Sequence, residues 1–312
     1  MMFERYPHRR LALLVAGVAA IGAAELAARC VGFGEPPLFI FDDKIEYYLA
    51  PSGNYTRFGH DIRVNRYGMR SDDVDIAAVD RRVSFSLLGD SVVYGNRLDQ
   101  ADTVPAQLQE LLTAKGRDQK VLVNSIAAPG WGPENLLEFY KRFGPFPGNT
   151  AWVVQSTHDM VDVTNLVNKD LPYRTSSPYG ALHDLALSTW HAVALSILPS
   201  KADPVKWEDK RRRADLALHA LISALKADNA RVILVFHATR DEAIGGEAEG
   251  LGHFRAVAKE EAIEFTSTME LYERAYRSNL PPHYDSIHLS KYGARILSKR
   301  LAADISPDDP GN

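Results

Sequence analysis

A short polar segment after the first strongly apolar run of the main domain carries a candidate nucleophile. Residues 83–88 predict a β-strand, and Gly89-Asp90-Ser91 follows it directly. Ser91 would lie in a strand-to-helix turn, where Gly89 permits tight backbone and the N–H groups that follow are free to stabilise an anion. The alternative is that Asp90 or Ser91 only caps the next helix.

A loop near the C-terminus carries the residue types that a serine nucleophile requires. A serine hydroxyl becomes reactive when a base takes its proton; histidine does so near neutral pH, and a carboxylate holds its tautomer. Asp285 and His288 both lie in the loop 282–290, so one segment can supply the base and its orienting group. His283 lies in the same loop as a competing histidine. The alternative for His288 is an ordinary surface residue.

Strands that alternate with helices can position these two segments. The predicted strands are 83–88, 121–124, 151–155, 231–236 and 263–266, and the predicted helices are 105–114, 134–143, 180–198, 208–228, 247–262 and 290–305. Near-continuous apolar strands alternating with helices predict a three-layer α/β/α sandwich around a parallel sheet of about five strands. Ligands bind at the carboxyl ends of such strands, which is where Ser91 falls.

The composition is that of a folded globular chain and excludes several classes of site. The 312 residues include 36 Lys and Arg and 40 Asp and Glu, which gives a formal net charge of −4. This slightly acidic balance gives a nucleic-acid partner no electrostatic support. The chain has one cysteine, Cys30, which excludes an intramolecular disulfide framework and a Cys-based zinc site.

The N-terminal residues 1–33 predict a signal anchor or a signal peptide. A mostly basic segment, 1–10, precedes an uncharged apolar run, 11–24, and the apolar character resumes after Glu25 and Arg29, which are spaced to pair. Counted to residue 33 the segment can span a bilayer. We predict an anchor that is not cleaved. Because basic residues favour the cytoplasmic side of a membrane, the remaining chain would lie outside the cytoplasm, in the periplasm.

Two alternatives stay open for residues 1–33. The apolar run could be a helix of the core, and cleavage near residues 22–24 would give a secreted form. Residues 34–80 lack periodicity and predict an irregular leader that packs on the catalytic domain, residues 81–306; a linker with short strands is the alternative.

The motifs of this chain resemble those of the SGNH/GDSL hydrolase family, in its membrane-anchored bacterial form. Gly89-Asp90-Ser91, with Gly95 four residues on, is similar to the nucleophile motif, and residues 285–288 are similar to the Asp-x-x-His motif before the final helix. Residues 124–130 resemble the second family block, and residues 65–70, Asn-Arg-Tyr-Gly-Met-Arg, resemble a segment upstream of the nucleophile in anchored members. The resemblance implies a flavodoxin-like sheet and a Ser-His-Asp esterase that needs no metal or organic cofactor.

The resemblance also implies an oxyanion hole formed by Ser91, Gly130 and His158. Gly130 stands at the position of the family's glycine amide donor, although Gly132 is nearby. The third block, usually Gly-x-Asn-Asp, is here Ser-Thr-His-Asp at 156–159, so His158 replaces an oxyanion-binding asparagine. Its ring N–H can still donate; if the ring points away, two amide donors remain, and losing one donor costs about 10²–10³ in rate.

The predicted function is a serine esterase that cleaves acyl esters, acetyl esters in particular, outside the cytoplasm. Ser91 would attack the ester, His288 would act as general base and Asp285 would orient it. One alternative is an O-acyltransferase that modifies exported polysaccharide with the same serine, and a second is a catalytically weak binding domain. Trp131, beside Gly130, is a candidate for stacking on a sugar ring of an acylated carbohydrate, although aromatic residues near strand ends more often pack in the interior. A nucleotide-binding protein is disfavoured because the chain has no Gly-rich phosphate loop.

Overall fold

The computed structural model describes residues 7–73, 84–114, 121–146, 148–165, 173–197 and 205–305. The strands are β1 (Phe39–Asp42), β2 (Glu46–Leu49), β3 (Asn54–Arg57), β4 (His60–Arg63), β5 (Ser84–Gly89), β6 (Leu122–Ala127), β7 (Thr150–Gln155), β8 (Arg231–Phe236) and β9 (Glu264–Ser267). The helices are α1 (Pro7–Cys30), α2 (Ser91–Tyr94), α3 (Val104–Ala114), α4 (Pro133–Phe143), α5 (Ala181–Ile197), α6 (Trp207–Ala227), α7 (Arg240–Ala243), α8 (Glu249–Glu260), α9 (Met269–Arg277) and α10 (Lys291–Ala303). Two short 3₁₀ turns span Gln100–Asp102 and Thr157–Met160.

Five strands form one parallel sheet in the order β6-β5-β7-β8-β9. Every residue of β5, β6 and β7 is buried, as expected for parallel strands with helices on both faces. Gly89 pairs with Ala127 and Gln155 pairs with Phe236, so the carboxyl ends of β5 to β8 meet at one edge. The predicted α/β sandwich is confirmed, and its strand order is that of flavodoxin-like sheets.

The helices that follow β5 and β6 lie on opposite faces of the sheet. The chain passes from β5 through α3 to β6 in one direction and returns through α4 to β7 in the other, and right-handed crossovers then require opposite faces. α10 packs beside α3, and α6 packs beside α4. Leu108 and Leu112 of α3, like Leu218 and Leu221 of α6, are buried at helical spacing.

The structure differs from the sequence prediction at elements with a weak apolar signal. β6 ends at Ala127 rather than at Asn124, because Asn124 and Ser125 are polar in type but fully buried in the sheet. α9 was not predicted, since its buried side chains are limited to Tyr272 and Ala275.

The leader contains two β-hairpins, which agree with the short strands that the sequence left open as the alternative to an irregular segment. β1 pairs with β2 and β3 pairs with β4, both antiparallel, and strands of four residues are too short to show a periodic pattern. β2 is buried along its whole length. Asn135 Nδ2 donates to the carbonyl of Ile45 at 2.8 Å, and Trp131 Nε1 donates to the carbonyl of Tyr47 at 2.8 Å. The leader therefore packs directly on the sheet domain.

One helix in the described part of the chain is long and apolar enough to cross a membrane, over Arg9–Cys30 of α1. Its side chains from residue 9 onward are exposed, except that Ala28 is buried and Glu25 is half-buried. Glu25 accepts hydrogen bonds from the N–H groups of Ala181 and Leu182, at 2.8 and 2.9 Å. α1 is thus joined to the remaining chain through its last turns.

Candidate active site

The candidate nucleophile begins a very short helix at the carboxyl end of the central strand β5. Asp90 precedes it and caps the helix, since its Oδ1 accepts from the Val92 N–H at 2.8 Å. Gly89 packs so closely that an added Cβ would lie 2.6 Å from Val93 Cγ2. Gly95 ends the helix in the left-handed region, with φ 79°. Ser91, as the first helical residue, has an N–H without a partner inside the helix.

The loop before α10 brings an imidazole and a carboxylate to this serine. His288 Nε2 lies 2.9 Å from Ser91 Oγ, across 197 residues of sequence. The other ring nitrogen, Nδ1, lies 2.7 Å from Asp285 Oδ2. Because an ionised carboxylate can only accept, Nδ1 carries the proton and Nε2 is free to accept from the serine hydroxyl. The three side chains therefore form a continuous proton relay.

Asp285 is held by backbone N–H groups as well as by the imidazole. Its Oδ1 accepts from the N–H groups of Ile287, at 3.0 Å, and His288, at 2.8 Å. Desolvation raises the pKa of Asp285, but these two N–H groups and the His288 ring together outweigh it, so the pKa lies below its ordinary value. The carboxylate is charged at neutral pH and can stabilise an imidazolium.

An aromatic stack fixes the plane of the His288 ring. The Tyr284 ring lies parallel to it, with centroids 5.6 Å apart and an interplanar angle of 12°. The guanidinium of Arg97 lies 5.4 Å from the centroid of Tyr284. Packing from one side thus limits rotation of the imidazole that faces Ser91.

Two further histidines support the loop and do not take part in the relay. His237 Nε2 donates to the carbonyl of Ile287 at 2.9 Å, and Tyr272 Oη lies 3.1 Å from its Nδ1. His283, the competing histidine of the sequence, is bonded instead to the Ala238 carbonyl, at 3.1 Å, and to a tyrosine hydroxyl. Burial lowers the pKa of His237 to about 3 and that of His283 to about 4, so both rings are neutral supports. Sequence reasoning missed His237, because a histidine directly after a strand gives no sign of its partner.

The candidate oxyanion glycine lies in a loop held by two tyrosines. Gly130 follows β6 with φ 74°, and the carbonyl of Pro129 just before it accepts from Tyr47 Oη at 2.6 Å and from Tyr173 Oη at 2.9 Å. An added Cβ at Gly130 would lie 2.9 Å from Tyr47 Oη, so only glycine fits. Both tyrosines lie outside the motifs that the sequence pointed to.

The competing glycine of this loop has a different task. The N–H of Gly132 donates to Asn135 Oδ1 at 2.9 Å, which caps α4. No hydrogen bond within the described part of the chain takes up the N–H of Gly130. Gly130 is therefore the residue of the pair whose amide can receive an oxyanion.

His158 lies in the 3₁₀ turn after β7, the other neighbour of β5. Asp159 holds this turn, since its carboxylate accepts from the N–H of Ser156 at 2.5 Å and from its hydroxyl at 3.0 Å. The side chain of His158 is exposed. Desolvation raises the pKa of Asp90, and the N–H of Val92 and the His288 and His158 rings oppose that rise. A donor role for His158 stays a prediction.

Two further carboxylates, those of Asp159 and Asp162, interact electrostatically with Asp90 in the turn that carries Ser91. Desolvation raises the pKa of Asp159 well above its ordinary value, and the neighbouring Asp90 raises it further. Desolvation and the Asp90 charge also raise the pKa of Asp162, to about 7. These groups favour one another's protonated forms, whereas Asp285 stays ionised.

Trp131 packs in the protein interior, which was the alternative to stacking on a sugar ring. The side chain is only 1% exposed, and its Nε1–H donates to the carbonyl of Tyr47. The ring packs against Phe139, with centroids 5.1 Å apart. Trp131 therefore joins the leader to the sheet domain and offers no face to a sugar.

No family model matches the sequence, and no curated protein matches it. Several solved structures are similar to the chain. An acetyl xylan esterase is 15% identical over 72% of this chain and 100% of its own, with a TM-score of 0.46. A putative lipolytic protein of the G-D-S-L family from Desulfitobacterium hafniense is 13% identical over 72% and 99%, with a TM-score of 0.42. A catalytic variant of an acetylxylan esterase from Geobacillus stearothermophilus is 14% identical over 72% and 95%, with a TM-score of 0.46. At these identities the likeness concerns the fold rather than the activity.

Proposed function

We propose that this chain is a serine esterase of the SGNH/GDSL type. In this proposal Ser91 is the nucleophile, His288 is the general base and Asp285 orients the imidazole. The observation that carries it is the relay itself: Ser91 Oγ lies 2.9 Å from His288 Nε2, and His288 Nδ1 lies 2.7 Å from Asp285. A serine held in this way is activated as a nucleophile, whereas a helix cap needs neither partner.

The reaction proceeds through an acyl-enzyme. Ser91 Oγ attacks the ester carbonyl carbon while His288 Nε2 takes the hydroxyl proton, and the oxyanion accepts from the N–H groups of Ser91 and Gly130 and from the His158 ring. The tetrahedral intermediate then expels the alcohol, which receives the proton from His288. Water next gives a proton to His288 and attacks the acyl group, so that the free acid leaves and Ser91 regains its proton. This route requires no metal or organic cofactor.

The test is hydrolysis of a chromogenic acetyl ester by the full chain in detergent. Ser91→Ala should lower kcat to the background, and Asp285→Asn should lower it by about 10⁴, the size seen when a triad loses its orienting carboxylate. Ser278→Ala is the matched control, because Ser278 is an exposed serine at the end of α9. Unchanged hydrolysis by Ser91→Ala would remove the proposal, whereas no hydrolysis by the unchanged chain would favour a binding domain.

Acyl transfer by the same serine is the second candidate, and the apolar helix α1 favours it. An enzyme fixed at a membrane meets polysaccharide as it is exported, and a sugar hydroxyl can replace water in the second half of the reaction. Adding an oligosaccharide acceptor to the assay should then convert acetyl ester into acetylated sugar faster than into acetate. Release of acetate alone at all acceptor concentrations favours hydrolysis.

We further propose that α1 is a retained anchor and that the catalytic domain lies outside the cytoplasm. The basic residues before the apolar run support this orientation, and the exposed surface of α1 supports a lipid environment. The intact mass of the protein purified from membranes should then match the whole sequence. A mature chain that begins near residue 25 and is found in the soluble fraction would instead indicate a cleaved signal.

A further inference from the structure

α5 presents an apolar face to solvent close to the end of α1. Four large side chains, named here the α5 face, are exposed: Leu185 by 36%, Trp190 by 72%, Val193 by 42% and Ile197 by 73%. On a helix with 3.6 residues per turn these positions lie within an arc of about 140°. They therefore lie on one side of α5, together with the exposed residues Ala186 and Thr189.

The titratable groups of α5 do not lie on this face. The helix contains only His183, Asp184 and His191 as titratable residues. Asp184 is fully buried, where it accepts from the N–H of Gly34 at 3.0 Å and pairs with Arg57. A helix on the surface of a water-soluble domain normally shows the opposite pattern, with its polar side outward.

The first turn of α5 is fixed to the last turns of α1. Glu25 accepts from the N–H groups of Ala181 and Leu182, at 2.8 and 2.9 Å, and Arg29 pairs with the same carboxylate at 2.9 Å. This contact is at the end of the apolar helix, where a membrane span reaches the bilayer surface. α5 therefore starts at the level of the bilayer surface.

The hairpin β3–β4 of the leader contacts the end of α1 through an apolar residue at its turn. Phe58, between β3 and β4, is 48% exposed, and its N–H donates to the carbonyl of Gly32 at 3.3 Å. Its neighbour Arg57 stacks on the rings of Phe58 and Phe33, with 4.3 and 5.1 Å to the centroids. Apolar surface thus lies on more than one element around the end of α1.

Two of the exposed aromatic residues, Trp190 and Tyr179, lie in α5 and directly before it. Trp131 and Trp152 are buried in the core, whereas Trp190 in α5 and Trp207 at the start of α6 are 72% and 50% exposed. Tyr179, just before α5, is 98% exposed. Tryptophan and tyrosine are enriched where hydrocarbon meets headgroups.

We propose that the α5 face lies in the interfacial layer of the lipid bilayer that α1 spans. This inference rests on the anchor proposed above and goes beyond it, because the domain is then seated on the membrane rather than tethered to it. Lipid is the occupant because the face continues from α1 and shares its uncharged character. An interfacial helix of this kind buries its apolar side about 5–10 Å into the boundary between headgroups and acyl chains.

The helix that carries the α5 face is connected by hydrogen bonds to the candidate oxyanion loop. Arg174 Nη2 donates to Ser188 of α5 at 3.2 Å, and the adjacent Tyr173 donates to the Pro129 carbonyl. The position of α5 on lipid therefore sets the height of the active site above the membrane.

The test uses the full chain in vesicles of phosphatidylcholine and phosphatidylglycerol. In a Cys30→Ser background, which removes the only native cysteine, single cysteines are introduced as Trp190→Cys, Val193→Cys, Val18→Cys and the control Glu270→Cys. Val18 lies in the middle of α1, and Glu270 is a highly exposed side chain on α9. Each cysteine carries the fluorophore NBD, and nitroxide lipids quench it from shallow or deep positions.

The expected result is several-fold stronger quenching at positions 190 and 193 than at position 270, with the shallow nitroxide more effective than the deep one. Position 18 should show the reverse depth preference. Quenching at 190 and 193 no stronger than at 270, with 18 still quenched, would overturn the docking proposal and leave the anchor intact. A blue-shifted but unquenched probe at position 190, together with disulfide cross-linking of the unlabelled Trp190→Cys variant to a second copy, would overturn the docking proposal in favour of a dimer. An unquenched probe at 18 would remove the anchor and the docking together.

Discussion

The guanidinium of Arg70, in the leader, donates a hydrogen bond of 2.7 Å to the carbonyl of Gly95, which ends the helix that Ser91 begins. It also donates to the carbonyls of Tyr94, at 3.1 Å, and Leu98, at 2.6 Å. Arg70 is only 1% exposed. Because α2 is a single turn, fixing its end also fixes the position of Ser91. The segment 65–70, to which the sequence could assign no task, belongs to the framework of the candidate site.

Replacing Arg70 should destabilise the whole domain. In Arg70→Ala several buried carbonyls lose their donor, and each such loss costs about 1–3 kcal/mol, so the free energy of unfolding should fall by about 3 kcal/mol or more. Urea unfolding of the two proteins measures this. Arg66→Ala is the control, because the Arg66 side chain is 56% exposed and should change stability by less than about 0.5 kcal/mol. Equal stability of both variants would refute a structural task for Arg70.

The two tyrosines on the Pro129 carbonyl should act as positioning residues. Tyr47→Phe or Tyr173→Phe leaves one donor, so each should have a small effect, whereas the double variant frees the loop that carries Gly130. We expect kcat of the double variant to fall about tenfold, the equivalent of 1.4 kcal/mol, with little change in KM. Tyr179→Phe serves as the control because Tyr179 is 98% exposed. A change in KM together with kcat, or a loss in the double variant no larger than the two single losses combined, would contradict this positioning role.

His158 should contribute to the rate as a hydrogen-bond donor. His158→Ala should lower kcat by about 10²–10³, the usual cost of removing one oxyanion donor. His158→Asn restores an N–H at the same position and should recover most of the activity. Steady-state kinetics of the three proteins compare them at fixed pH. If His158→Ala is as active as the unchanged chain, the oxyanion hole consists of the amides of Ser91 and Gly130 alone.

Asp162 should make the domain less stable as the pH rises. Burial and the Asp90 charge raise its folded pKa to about 7, above its ordinary value of 3.8, so folding favours the protonated acid. The contribution of Asp162 to the free energy of unfolding is fully present below the pKa of the unfolded chain. It is lost as the pH rises from that value through the pKa of the folded protein, by up to about 4 kcal/mol. Denaturant unfolding at pH 5 and pH 8 should therefore show a smaller decrease for Asp162→Asn than for the unchanged chain. The same decrease in both proteins would contradict this assignment.

The sheet was predictable because burial on both faces imposes a strong apolar signal. β8, 231–236, matches its predicted bounds, and β6 extends beyond its predicted end because the polar residues Asn124 and Ser125 are buried. The hairpins of the leader gave no such signal, since their strands have four residues each. Helix α9 was missed for a similar reason, with Tyr272 and Ala275 as its buried side chains.

The candidate site was predictable where several functional groups share one short segment. Asp285 and His288 are neighbours in sequence, so their spacing indicated a relay before their contact with Ser91 was known. Tyr47 and Tyr173 were not predictable, because each reaches the oxyanion loop from a distant segment with an ordinary side chain. His237 was missed, and the task of Arg70 was not predicted, since both donate to backbone carbonyls, which leave no trace in sequence.

The most direct measurement of the proposed relay is labelling by a fluorophosphonate, read by peptide mass spectrometry. The reagent phosphonylates a serine only when a base has activated it. We expect one adduct, on Ser91, whose rate of formation collapses in His288→Ala and is unaffected in the control His219→Ala, since His219 lies in α6 and is bonded to Glu261. An adduct on another residue, or equal labelling of Ser91 with and without the His288 imidazole, would contradict the account.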